Sequence, residues 1–396
     1  MTTPGAVASL PLICAMLRGE PVAWPAANDE CIVAFIDDAR SHGVTPLLDA
    51  RFVSGTVGDG VGDGVGNGPD HGLANGWPEA IRRACHDDAI NHAGRELASR
   101  AETTRVLAAL DRAGVRPLLM KGTGLAYSHF PRPALRPRAD CDLLVAPSQR
   151  EAARRILHDL GYRRVGGPAG KFVGYQYELH RVDPHGVTHN VDLHWRISNA
   201  QSFAWLFAFD ELAAAAVSVP ALGASARRLG DVHALMLALL HRAGNNQFME
   251  PGFGDRLIWL YDFHLLVEAM TDDDRARFAR LAEARRVVAI AIVGLRHCAD
   301  AFRSPRVEAL MRELERCPAA ASGAAFLRAG TLGREWLELR AIPTFGDRLT
   351  YLANRLVPSA DYMRERFPDE ANRALPLLHA RRWLQGIDGR LPTRRR

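Results

Sequence analysis

The sequence predicts an α+β chain: a small α/β core over residues 115–198, flanked by N-terminal helices and by a larger all-α C-terminal domain. Three observations carry the prediction. Apolar residues recur at helical spacing through most of the chain, short β-type runs cluster between Val115 and Ser198, and six helical patterns follow one another beyond residue 199. The length of 396 residues favours two or three packed units, and 47% hydrophobic with 24% charged residues excludes a disordered or low-complexity chain.

In chain order, residues 1–53 hold two helical patterns, one around LPLICAMLRG and one over DECIVAFIDDARSHGVTPLLDARF. Residues 54–76, with the tandem VGDG, VGDG, VGNG, lack the Lys-Ser/Thr of a Walker loop and have too few copies for a calcium-binding repeat, so a flexible surface insertion is expected. Residues 77–114 form a helical lead-in that Gly114 ends. VRPLLM then reads as a short strand, KGTGLAYSHF as a turn into a helix, and RADCDLLVAP as a strand. PSQREAARRILHDLGYRR is a helix with Ser near its start and Gly at its end. The alternating runs KFVGYQYELHRV and VTHNVDLHWRI, joined by DPHG, predict a β-hairpin. Residues 199–380 read as an all-α domain, and 381–396 as a basic tail.

The net charge of +5 says little about a partner, because residues 381–396 alone carry six arginines against Asp388. The rest of the chain is neutral, so nucleic acid is not indicated except through that tail, whose plainest reading is a solvated terminus. Only Lys121 and Lys171 among the fifty basic residues are lysine. The six cysteines show no CxxC or zinc-type spacing and read as free thiols. The apolar start has no preceding positive residue and contains Pro11, which argues against a signal peptide; no run approaches the roughly 18 apolar residues of a span. A cytoplasmic protein is expected.

The chemistry is carried by ADCDLLV. Side chains two apart on a strand share a face, so Asp140 and Asp142 are expected to project together, away from Cys141 and Leu143. Two such acids repel unless a cation sits between them. An isolated Asp-x-Asp is as well explained by solvated acids or arginine partners. Here Leu-Leu-Val follows directly, and Asp192 of NVDLHWRI occupies an equivalent place with His194 on its own face. Three carboxylates from neighbouring strands suit Mg²⁺, and a pair of such ions is the usual clamp for phosphoryl or nucleotidyl displacement. Upstream, Lys121, Gly122 and Gly124 stand where a strand turns into a helix, a place that can hold a triphosphate tail.

The plainer readings are kept beside these. Arg136 and Arg138 of RPRAD either neutralise phosphate or pair with the aspartates. His194 either orients Asp192 or a substrate, or packs under Trp195. His180, His185 and His189 read as exposed hairpin residues rather than a metal cluster, Asp262 and His241 as polar contacts between helices, and Trp195 and Trp259 as core.

The run LLMKGTGLAYSHFPRPALRPRADCDLLV, the helix ending LGY and the strand VDLHW resemble the uncharacterised nucleotidyltransferase family of the DNA polymerase β-like superfamily. The resemblance is close over residues 100–198; in the helical half HRAGNN and DRLIWLYDFHLL are similar to the family's His and Trp-Leu-x-Asp pattern. It implies a mixed-sheet nucleotidyltransferase core, an NTP with ATP as the default, Mg²⁺ with two ions expected and Mn²⁺ as a substitute, and transfer of a nucleoside monophosphate to an unknown acceptor with release of pyrophosphate. Asp140, Asp142 and Asp192 would be metal ligands and catalytic acids, Asp192 also drawing the proton from the attacking hydroxyl. Lys121, Gly122 and Thr123 stand where the broader superfamily has Gly-Ser, and Arg136 and Arg138 would complete the nucleotide site. Two other readings are a nucleotide-binding regulatory protein without turnover, and an Asp-x-Asp glycosyltransferase. The latter expects a nucleotide-binding α/β half before the acids, where this chain reads as helices and a glycine-rich loop.

Overall fold

The computed structural model describes residues 9–25, 28–54, 76–165, 174–248, 253–358, 360–367, 370 and 372–388. The glycine-rich segment, apart from its first and last residues, the start of the first hairpin run and the last eight residues of the basic tail lie outside them. Three helices open the chain: α1 (Ser9–Leu17), α2 (Asp29–Ser41) and α3 (Thr45–Ser54). The second predicted pattern divides because Gly43, at φ +69°, turns the chain where a residue with a Cβ would be strained. Helix α4 (Glu79–Arg112) runs unbroken for 34 residues to Gly114.

The core follows as β1 (Leu118–Leu119), α5 (Lys121–Ala126), β2 (Cys141–Leu144), α6 (Arg150–Asp159), β3 (Arg163–Arg164), β4 (Gln176–Val182) and β5 (Thr188–His194). The Asp183-Pro184-His185-Gly186 turn closes the predicted hairpin: Gly186 donates its N–H to the Asp183 carbonyl and the Asp183 side chain accepts from the His185 and Val187 amides. Together these strands form most of a seven-stranded mixed sheet in the order β3-β4-β5-β2-β1-β7-β6, with β2 and β5 parallel.

The two outermost strands correct the reading of everything past residue 199 as helical. FAWLFAFDELAAAAV breaks into α7 (Gln201–Ala204) and α8 (Phe209–Ala214), and β6 (Val217–Ser218) with β7 (Arg227–Arg228) then returns to the sheet, β7 lying parallel to β1. Two-residue strands are too short for a period-two pattern to be visible in sequence. From there the chain is helical: α9 (Asp231–Phe248), α10 (Leu257–Ala269), α11 (Asp272–Ala284), α12 (Val288–Phe302), α13 (Pro305–Glu315), α14 (Ala324–Arg328), α15 (Thr331–Ala341), α16 (Phe345–Leu356), α17 (Ala360–Arg366) and α18 (Leu375–Asp388).

Alternation along the strands divides the sheet between two apolar cores. Leu119, Leu143, Val191 and Leu193 pack with α4 and α6 on one face, whereas Leu118, Met120 and Leu144 join the larger core built by the N-terminal and C-terminal helices. Asp142 and Asp192 have the parity of the second set, so they face the helical half. The join between sheet and helices is tight at Gly230, between β7 and α9, where a Cβ would lie 2.4 Å from the Ala215 carbonyl oxygen. Gly230→Ala is expected to cost about 1–3 kcal/mol, seen as a lower urea midpoint with unchanged slope; an unchanged midpoint would show that this junction yields freely.

Candidate active site

The site is built on the β2–β5 pair. Their parallel register sets Cys141 beside Val191 and Asp142 beside Asp192, which places two carboxylates next to each other on one face of the sheet. Asp142 is 3% exposed, and its Oδ1 accepts hydrogen bonds from Lys121 Nζ at 2.6 Å and His194 Nε2 at 2.9 Å. Burial alone would raise the Asp142 carboxyl, but Lys121 and the His194 hydrogen bond hold it well below the usual carboxylate range. The Lys121 ammonium is raised in turn: Asp142, Asp140 and Asp192 outweigh the burial that opposes its charge.

Asp192 carries the unbalanced charge. Its Oδ2 accepts from Gln176 Nε2 at 3.1 Å. Burial, Asp142 and Asp140 together push its carboxyl up to about 7. His194 is 2% exposed, burial pushes its ring towards the neutral form, and its Nδ1 has no hydrogen-bond partner. His194 therefore buttresses Asp142 and does not pack under Trp195, whose ring instead lies 4.7 Å from that of Tyr177.

Among the described residues, Asp142, Asp192 and His194 form the group able to hold a metal ion, with one donor atom from each lying within 4.8 Å of the others. Two carboxylates with one imidazole, and an acid left half-protonated for want of a counter-charge, fit a divalent cation. Asp140 stands outside this trio. It precedes the first residue of β2 and is exposed at the rim. The protein crowded around it and the Asp142 charge still raise its carboxyl.

The expected phosphate-binding residues are distributed differently from their sequence neighbourhood. Lys121 takes φ +48°, a conformation rare for a residue with a side chain, and this aims its ammonium at Asp142. Gly122 and Thr123 are buried in the first turn of α5, and the Thr123 hydroxyl donates to the Asp140 carbonyl at 3.4 Å. A Cβ on Gly122 would lie 3.4 Å from the Arg136 guanidinium. Arg136 pairs with neither Asp140 nor Asp142. Its Nε and Nη2 form a fork on Asp262 of α10 at 2.8 and 2.7 Å, both residues being buried. Arg138 pairs with Glu96 of α4 at 2.7 Å and lies over the Tyr127 ring.

Trp259, read from the sequence as core alone, was missed as a wall of the site. A cleft lies between sheet and helices, bounded by Lys121, Gly124 and Arg136 on one side and by His241, Trp259 and Phe263 on the other. Trp259 is thus a cleft wall as well as a core residue, edge-on to His241 at 5.4 Å. Burial and then Lys121 push His241 down to about 3, so it is a neutral ring at physiological pH. Glu178 was missed too. It lies beside Asp192 in the β4–β5 ladder and extends the acid row by one strand, a register that follows from the turn centre. His180, His185 and His189 stay in the hairpin, where His189 contacts Asp183 at 3.1 Å.

A family model described as uncharacterised nucleotidyltransferase matches residues 32–303, which include the sheet, the acids and the cleft. A search of curated proteins finds no match to the chain.

The raised carboxyl has a thermodynamic consequence. A group with a folded pKa near 7 and an unfolded value near 3.9 destabilises the fold increasingly as pH rises from about 4 to 7, and by a constant amount above that. Asp192→Asn should therefore raise stability at pH 8 by about 1–2 kcal/mol, after screening of this partly exposed group, and leave it unchanged at pH 4. Thermal melts at the two pH values check this; equal shifts at both would mean that Asp192 titrates normally.

Proposed function

The chain belongs to the uncharacterised nucleotidyltransferase family, and from that premise we propose that it moves a nucleoside monophosphate from an NTP to an acceptor hydroxyl with release of pyrophosphate. The observation that carries the proposal is the in-register pair Asp142 and Asp192, with Lys121 bonded to Asp142 and also lining the neighbouring cleft. Asp142, Asp192 and the more exposed Asp140 would hold Mg²⁺, two ions with Mn²⁺ able to substitute. When bound, the cation supplies neutralisation of phosphate charge and alignment of the attacking and leaving oxygens.

The protein's own residues do the rest. His194 keeps the Asp142 carboxylate in place through its Nε2–H. Lys121, which lines the cleft, would meet the phosphates there, with Gly122 and Thr123 shaping the loop beneath it. Arg136 supports the loop through Gly122 and adds positive potential. The base and ribose occupy the more apolar end of the cleft, by Trp259 and Phe263. Asp192 would take the hydroxyl proton as the acceptor oxygen bonds to the α-phosphorus and the α–β phosphoanhydride bond breaks. ATP is the default NTP. Arg138, committed to Glu96, is left without a direct role.

Incubation with α-labelled NTPs and Mg²⁺, followed by measurement of pyrophosphate and labelled product, tests the reading. Asp142→Asn and Asp192→Asn should each lower turnover at least about a hundredfold with folding retained, and label transfer at the parent rate by either would remove the acids from the reaction. Lys121→Arg should cost roughly tenfold or more, because the longer planar fork cannot replace a point-charge ammonium at this turn; full activity would show that any cation suffices there.

A further inference from the structure

Gln176 is the hydrogen-bond partner of Asp192, and the direction of its amide is fixed from behind. The loop after β5 brings Asn199 beside the start of β4, where the Tyr175 main-chain N–H donates to Asn199 Oδ1 at 2.7 Å. A peptide N–H can only donate, so the Asn199 oxygen faces the strand and its NH₂ is turned to Gln176. That NH₂ donates to Gln176 Oε1 at 2.9 Å. With its oxygen engaged, Gln176 has only its own NH₂ to present to the acids, and Nε2 donates to Asp192 Oδ2 at 3.1 Å and to Glu178 Oε1 at 3.3 Å. Two amides in series carry the polarity of one backbone N–H to a carboxylate.

The start of this relay is held firmly. Tyr175 is buried, its carbonyl accepts from the Trp195 amide, and its hydroxyl donates to Gln201 Oε1 at 2.6 Å. Its ring packs with Ala204, Ile342 and Tyr351. Asn199 is exposed and Gln176 half-buried, so their hydrogen bonds replace bonds to water and add little to stability. Their contribution is direction. Glu178 and Asp192 stand opposite each other in the β4–β5 ladder, and Gln176, opposite His194, lies on the same face. The two hydrogens of its NH₂ serve these two like-charged neighbours. A reversed amide would set an oxygen against both acids.

On the reading of Asp142 and Asp192 as cation ligands, we propose that Gln176 and Asn199 are positioning residues for that site. Gln176 holds Asp192 Oδ2 from the β4 side, which leaves Oδ1, to which no described residue donates, for the ion. Asn199 acts through Gln176, by allowing its amide one direction only. Groups that orient a metal-binding side chain in this way contribute about 10–100-fold to metal affinity.

Mn²⁺ alone is the probe, its free fraction followed by electron paramagnetic resonance on the full chain without nucleotide. Gln176→Met and Asn199→Leu keep size and charge while removing the hydrogen bonds, and each should weaken Mn²⁺ binding about tenfold. Either suffices if the other fails to fold. Because Asn199 acts through Gln176, the double variant should also lose about tenfold, where independent effects would multiply to about a hundredfold. A lower melting temperature with unchanged Mn²⁺ affinity would mean that the relay only ties β4 to the loop, and overturns the proposal. Multiplying losses, or a parent that binds no Mn²⁺, overturn it as well. Tenfold losses in a protein that transfers no label from an NTP would uphold the relay and count against the proposed reaction alone.

Discussion

Two carboxylates side by side on neighbouring parallel strands are the constraint around which the molecule is arranged. The β2–β5 register sets Asp142 against Asp192, and on a buried sheet face that pair is unfavourable unless positive charge is supplied. The protein supplies part of it. Lys121 and the His194 N–H stabilise Asp142, and to bring its ammonium there Lys121 accepts a left-handed backbone. Asp192 is left with Gln176 as its partner and remains hard to ionise. A site that is half-neutralised in this way could hold a divalent cation.

The helical half completes the arrangement. The buried fork of Arg136 on Asp262 links the loop before β2 to α10, and because Gly122 lies against the Arg136 guanidinium the same contact supports the Lys121 turn. Loss of one partner of such a pair strands a buried charge, at a cost of about 3–5 kcal/mol. Helices α9 and α10 also supply the far wall of the cleft that Lys121 lines from the sheet side. Fold stability and the geometry of the site draw on the same contacts.

Much of this was legible in the sequence, for identifiable reasons. Asp142 and Asp192 could be found because each is followed by apolar residues that mark a buried strand, and Lys121 stood out because lysine is so rare in this chain. The hairpin was legible from DPHG, and its register would have revealed Glu178 had the pairing been followed from the turn. What could not be read was set by tertiary contacts. Arg136 finds its acid 126 residues away, and β6 and β7 are too short to leave a periodic trace. Helical periodicity identified α10 but could not tell which of its polar residues faces the sheet.

The Asp142–Asp192 pair is proposed to be a cation site that Lys121 tempers. A crystal grown with Mn²⁺ and a non-hydrolysable NTP, measured at the manganese edge, tests it most directly. Anomalous density is expected bonded to carboxylate oxygens of both Asp142 and Asp192, with the Lys121 ammonium moved from Asp142 to a phosphate oxygen. Manganese bound elsewhere, or a Lys121–Asp142 contact unchanged beside an ordered nucleotide, would contradict it.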